Sequence, residues 1–479
     1  MNFYEKYISK EAVEEIHACT LRILSEVGVR FESEKALEVF RRNGVKVDGC
    51  MVYIDRDTVE KALKTVPSSF ELLSDFDKKI PMGNHAMNTR IIGHPAFILK
   101  DGAIRPMAAE DAIAQFKMSE TSPIANCVGV NYAFLNGISV TKEQRVFGPM
   151  AFGLKYSGKD KIFLDINVTG CSSDEAYTYT KNGIQLAKNF YGVKDASMMI
   201  TVINALSPLC YDDTPIHKMT AYMEEDQACI IACCGMPMMT SPPSLAGMLA
   251  QTNADVLAGI VFAQLYKPGA KVVYGNTSGS TDMRTIQLGI GSAEAALVGY
   301  ATAALADFYN IPFRALGGLS DAKQLDYQAG AESMLMLQAT YETKPDIVIH
   351  HIGCVGSFNV VSLEKIIADE EVAGMVQRKL KGVDVTEKKL CFDTIQSVGP
   401  RGTFLQGRTP KMYREEFYLS KLFNKDDANN WQNQGAVPLY ECAKQQVKDR
   451  LASYCAPERT KEQDAMLNEY LPDIYKAQI

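Results

Sequence analysis

From about residue 108 the hydrophobic pattern of the chain alternates between two periods. Short apolar runs occur at Ile124–Val130, Lys161–Ile166, Ser197–Val202, Ile230–Cys234, Lys271–Tyr274, Pro312–Leu316 and Asp346–His350. Between them stand longer segments with apolar residues at helical spacing, among them Asp174–Phe190, Ser244–Tyr266, Gly291–Tyr309 and Leu325–Tyr341. Strands that are apolar throughout are covered on both faces, and intervening helices supply the cover, which is the pattern of a parallel sheet. The expected fold is α/β, a TIM-type (β/α)8 barrel, with Arg90–Phe97 or a segment after residue 385 as its eighth strand. An open doubly wound sheet is the structural alternative. No Gly-x-Gly-x-x-Gly follows an early strand, which weakens a dinucleotide-binding reading of it.

The flanks follow other rules. Residues 1–88 read as helix, helix, short strand and helix (Ala12–Val27, Ser33–Arg42, Val52–Ile54, Asp57–Val66), an N-terminal helical cap segment ahead of a barrel at 89–381. Asp101-Gly102 between two β-like runs is a hairpin signal. Residues 382–479 turn to charged helices and turns, a C-terminal helical extension packed on the barrel.

In a barrel the reactive groups stand just beyond the C-terminal ends of the strands. Gly, Asn, Ser and Pro recur at every such exit, as in Asn204–Pro208, Tyr274–Gly279 and Gly317–Lys323, and a plain turn role weighs as much as a functional one for each alone. His350-His351 is sharper. Strand alternation sends one ring into the barrel and the other outward, and the inward ring can donate to a substrate carboxylate or oxygen. Gln328 and Glu332 lie four apart on the helix after Gly317–Lys323 and so share a face near that exit. The single Trp, Trp431, lies in the extension, so an aromatic cage for a cation draws on Phe97, Tyr132, Phe134, Tyr274 and Phe358. Candidate substrate-binding residues are thus His350, His351, Phe97, Tyr132, Asn204, Tyr274, Gln328, Glu332 and Phe358; no catalytic residue is assigned. A metal centre would recruit His94, Asp165 and Asp282, but no His-x-His or His-Glu-x-x-His spacing joins them, and no metal is expected. Asp282 reads rather as a helix cap.

Composition narrows the classes. A net charge of −7 argues against a nucleic-acid binder. Twelve Cys without a Cys-x-x-Cys pair, behind an N-terminus lacking a basic region followed by an apolar run, point to free thiols and a cytoplasmic location. Apolar stretches are interrupted before the roughly 20 residues of a membrane span. The Ala-rich helices Gly291–Asp307 and Ser244–Tyr266 suggest subunit contacts in a homo-oligomer.

A series of motifs, in order, resembles the trimethylamine:corrinoid methyltransferase superfamily. They are Thr20–Val29, Thr281–Arg284, Gly317–Lys323, Asp326–Glu332, His350–Gly353, Ser362–Glu371, Gly402–Leu405 and Trp431–Gly435. The resemblance implies a TIM barrel that moves a methyl group from a methylated amine to Co(I) of the cobalamin (corrinoid) on a separate, cognate corrinoid protein, with no cofactor tightly bound. The founding enzymes of the superfamily use pyrrolysine. This chain has only standard residues, so it resembles the non-pyrrolysine members, which act on quaternary amines such as glycine betaine, proline betaine, carnitine or γ-butyrobetaine. A quaternary ammonium already carries a good neutral leaving group, so the protein needs only to align the N–CH3 bond and hold the substrate. A metal-dependent hydrolase or lyase on the same barrel, and a non-catalytic betaine binder that partners a corrinoid protein, are the competing readings.

Overall fold

The structure is a computed structural model and describes residues 3–74, 78–158, 166–405 and 407–479, with the backbone alone of 162–164. Eight parallel strands form one sheet. In chain order they are β1 (Asn88–Thr89), β2 (Cys127–Val128), β3 (Ile162–Leu164), β4 (Met199–Asn204), β5 (Ala228–Cys233), β6 (Val272–Asn276), β7 (Phe313–Ala315) and β8 (Ile347–Val348). From β2 to β8 each strand lies beside its neighbour in sequence, β8 lies beside β1, and β1 and β2 are the two ends of the order. Each is followed by a helix: α1 (Ala109–Thr121), α2 (Lys142–Tyr156), α3 (Ser173–Tyr191), α4 (Asp213–Glu224), α5 (Leu245–Tyr266), α6 (Ala293–Tyr309), α7 (Tyr327–Thr343) and α8 (Leu363–Leu380). The sheet curls, and Asn126, just ahead of β2, reaches β1: its N donates to Thr89 O at 3.0 Å and Thr89 N donates to Asn126 Oδ1 at 2.8 Å.

Seven strands stand where the apolar runs place them, although Lys161 lies outside the described residues. The eighth does not. It is Asn88–Thr89, just ahead of Arg90–Phe97, and among the described residues no strand of this sheet lies after 385. A two-residue strand of buried polar side chains leaves no apolar run to detect.

Inward-facing Ile200, Ile230, Ala232, Val273, Ile347 and Ile349 cluster inside the curl of the sheet. The hairpin Phe70–Leu73/Lys79–Met82 closes its N-terminal end: Phe70, Leu72 and Met82 join the same cluster, and Leu73 N donates to Ser197 O at 2.7 Å. The N-terminal segment also wraps the outside. Its strand Val29–Phe31 pairs in parallel with Cys210–Tyr211, and its helix Lys10–Arg22 packs on α5.

That wrapping explains α5, which is apolar on every face and buried along nearly its whole length because the sheet and the N-terminal segment occupy opposite sides. At 22 residues it is long and apolar enough for a membrane span, contrary to the expectation of earlier interruption, but its faces are taken within the fold. The Ala-rich surfaces of α5 and α6 are covered by the chain's own N-terminal helices, so they do not present the subunit contacts their composition suggests.

Two hairpins stand over the C-terminal ends of the strands. Asp101 and Gly102 both adopt positive φ, 49° and 78°, and turn Phe97–Lys100 back on Ala103–Pro106 as the Asp-Gly signal requires. This hairpin continues into Val360–Val361 and Cys354–Val355, whose connecting turn carries Phe358. The second hairpin, Ser280–Asp282/Gln287–Gly289, carries Leu288. Asp282 is therefore not a helix cap. It sits at an exposed turn and accepts hydrogen bonds from Arg284, which hold its carboxyl down at about 2.

Candidate active site

A cavity of about 590 Å³ opens at the C-terminal end of the sheet. Its floor is made by side chains from within the strands: Ile200 and Val202 of β4, Arg314 of β7, and Ile349 just past β8. Above them come Asn204, Ala205, Cys234 and Thr277 at the strand ends, and then His94, Leu288 and Phe358 from the loops. Arg90, directly after β1, and His350 complete the wall.

Arg314 dominates the electrostatics. It is 4% exposed, no carboxylate among the described residues pairs with it, and its Nε has no hydrogen-bond partner. Burial pushes its guanidinium down to about 10, so it stays charged at neutral pH. Arg90 is also buried, and Gly129 makes room for it, since a Cβ there would overlap the guanidinium. Two arginines, Arg314 in the floor and Arg90 in the wall, favour an anionic group beside them and repel a cation toward the mouth.

The histidine pair divides between the two sides of the wall, but a turn at Ile349-His350 rather than strand alternation sets the parity, since Ile349 and His350 both line the cavity. His350 faces the cavity. Its Nδ1 accepts a hydrogen bond from Gly93 N at 3.1 Å, so the neutral ring carries its proton on Nε2. Burial first, then Arg314, Arg90 and His94, hold its pKa well below the usual histidine value. His350 is thus a neutral donor, with Phe358 at 5.2 Å between ring centroids. His351 points the other way, against Tyr341, with ring centroids 5.5 Å apart. Burial alone pushes it to about 3, and its backbone locks two segments: His351 N donates to Arg90 O and Gly318 N to His351 O.

The structure therefore brings His350, Asn204 and Phe358 to the cavity and leaves the other candidates elsewhere. His351 is behind the wall. Tyr274 follows the outward parity of β6, is fully buried, and donates from its hydroxyl to Asn253 Oδ1 of α5 at 3.0 Å. Phe97 packs with Leu99, Val355 and Val360 in the small sheet. Gln328 is exposed and donates to Glu332 Oε1; Glu332 in turn accepts from Ser320 Oγ at 2.7 Å and Asp321 N at 2.8 Å, bracing the loop after β7. Tyr132 stands one layer back, stacked on His94 at 4.5 Å. The expected aromatic wall reduces to Phe358 with the His94–Tyr132 stack, because Phe97 and Tyr274 are used by packing. As to metal ligands, Asp165 lies outside the described residues, and among the described residues no three His, Cys, Asp or Glu side chains converge.

Both arginines escaped the sequence reading. A signal existed for Arg314: it is the one charge inside the apolar run Pro312–Leu316, and a charge in a strand covered on both faces needs a reason.

Residues 3–475 match the family model described as trimethylamine methyltransferase (MTTB). The chain is 37% identical to a proline betaine:corrinoid methyltransferase of Eubacterium limosum, with 99% of each chain covered. It is 34% identical to an L-carnitine:corrinoid methyltransferase of the same organism, covering 99% and 98%. It is 35% identical to a glycine betaine methyltransferase of Desulfitobacterium hafniense, covering 97% and 96%. With the model matched from end to end and relatives above 30% identity over nearly their full length, this chain belongs to the trimethylamine methyltransferase (MTTB) family.

Proposed function

We propose that the protein transfers a methyl group from a carboxylated quaternary amine to Co(I) of a corrinoid carried by a separate protein, at the mouth of a closed (β/α)8 barrel. The hydrogen bonds between Thr89 and Asn126 support the closed ring. The observation that carries the substrate class is Arg314, a buried guanidinium with no carboxylate partner among the described residues, beside the neutral Nε2–H donor of His350. A carboxylate laid on these two groups satisfies both. The quaternary nitrogen, repelled by Arg314, then lies toward the mouth among Phe358, Leu288 and the His94 ring, where an aromatic face contributes roughly 0.5–2 kcal/mol.

In this orientation an N-methyl group is the part of the substrate nearest the opening. Co(I), approaching along the C–N axis, forms the new bond to carbon as the C–N bond breaks. The electron pair stays on nitrogen, so the product is a neutral tertiary amine and no general acid is required. The protein contributes alignment and water exclusion. A trimethylamine-type substrate offers nothing for Arg314 and His350, which is why the reading favours betaines over simple amines.

The rim supports a protein-borne acceptor. Leu206, Met238, Met239, Met283 and Ile286, in the loops after β4, β5 and β6, are each more than half exposed. An apolar, Met-rich edge around a cavity suits docking of a second macromolecule. The test incubates the enzyme with reduced corrinoid protein and follows methyl-Co(III) formation by absorbance, for betaines, carnitine, choline and trimethylamine. Methylation by carboxylated quaternary amines is expected. Equal rates with choline would contradict the carboxylate assignment, and no transfer from any quaternary amine would sink the reading.

A further inference from the structure

Residues 383–439 form an arm that has no core of its own. Its helices Glu387–Leu390, Phe392–Val398, Lys411–Glu416 and Ala428–Asn433 bury no residue. About half of the strongly exposed large apolar side chains among the described residues fall in this eighth of the chain. Leu405 is 93% exposed, Val383 86%, Phe392 68% and Phe404 62%. The arm is tied to the body by Arg378 to Glu416, by Tyr418 Oη and Lys421 N to Glu371, each of the last two at 2.9 Å, and by the buried side chain of Leu422. Ordering a residue costs about 1–2 kcal/mol in backbone entropy, and these ties do not offset that for so long a segment.

We propose that this arm is the contact surface for a second copy of the chain in a twofold-symmetric dimer. Three observations select that occupant. First, the apolar area suffices. A large side chain offers about 150–250 Å² when fully exposed, so the arm presents on the order of 1,000 Å² of apolar surface per copy, and two such faces reach the range above about 2,000 Å² seen for obligate dimers. Second, the charge fits. The arm holds eight Lys/Arg and seven Asp/Glu while the chain as a whole is at −7. A nearly balanced, mixed patch is self-complementary, as a twofold contact requires. Third, position argues against the methyl acceptor. None of the residues lining the cavity belongs to the arm. The inference is independent of the proposed chemistry.

The experiment measures the mass of the full-length chain by light scattering after size exclusion at micromolar concentration. Twice the chain mass is expected. The double variant Phe404→Asp/Leu405→Asp, whose side chains lie outside the core, should halve that mass or weaken association at least 100-fold, with unchanged circular dichroism. Ile104→Asp, an exposed apolar site elsewhere, should leave the dimer intact. A wild-type monomer overturns the proposal, and so does a dimer indifferent to the arm variant. Loss of corrinoid-protein binding without change of mass also overturns it, since it would assign the surface to that partner. If the variant does not fold, hydrogen exchange on the wild type decides: protection of arm amides must rise with protein concentration, and concentration-independent exchange overturns the dimer.

Discussion

Replacing Arg314 by Met tests the substrate reading and the energetics together, because the two expected effects have opposite signs. The guanidinium is buried with no carboxylate partner among the described residues, and burial lowers its pKa from 12.5 to about 10. At 1.36 kcal/mol per unit, the fold carries a penalty of about 3 kcal/mol for keeping it charged at pH 7. A neutral side chain of similar length removes that penalty. With an unfolding entropy of about 2 cal/mol/K per residue, the melting temperature should rise by about 3 °C. The same change removes the charged partner of the substrate carboxylate. Losing one member of a buried charge pair costs about 2–5 kcal/mol, so the KM for a betaine should rise by about two orders of magnitude. Because the carboxylate is held alike in the ground and transition states, kcat should move only a few-fold. The assay is cobalt methylation over a range of substrate concentrations, paired with thermal unfolding. A lower melting temperature with unchanged KM would refute both halves of the reasoning. A fall in kcat at constant KM would place Arg314 in the chemical step instead.

The same geometry sets other outcomes. His350→Gln keeps a donor and should lose about 10-fold in kcat/KM, while His350→Leu should lose at least 100-fold, in the same methylation assay. His350 and His351 have folded pKa values below the unfolded 6.5, so the unfolded state takes up their protons first and stability falls as pH drops below about 6.5, by about 1.4 kcal/mol per pH unit for each ring. His351→Phe should remove one ring's share of that slope, read from urea midpoints between about pH 5 and 6.5, without changing KM for the betaine. Gly129→Ala should displace the Arg90 guanidinium and weaken substrate binding about 10-fold with the helical circular dichroism unchanged. Glu332→Ala leaves Ser320 Oγ and the Asp321 amide without their acceptor and should cost about 1–3 kcal/mol in urea denaturation.

Hydrophobic period and turn punctuation carry the part of the fold that is legible in the sequence. Seven of the eight strands announce themselves as apolar runs because both faces of a parallel sheet are covered. Asp101-Gly102 fixes its hairpin through positive φ at both residues. The His350-His351 pair is visible as the exit of the last strand, just past Ile347–Val348. Motif order along the chain is enough to indicate the family, which the end-to-end match bears out.

Tertiary structure decides the rest. Which histidine faces the cavity depends on a turn at Ile349-His350, and a shift of one residue reverses every side chain. Tyr274 and Phe97 have the right chemistry for a cage, yet α5 and the small sheet claim them for packing. Arg90 and Arg314 are far apart in sequence and meet only because β1 and β7 both flank β8. Local sequence sets the periodicity of each element. The chemistry of the pocket depends on which elements become neighbours and on which side chains burial leaves without partners.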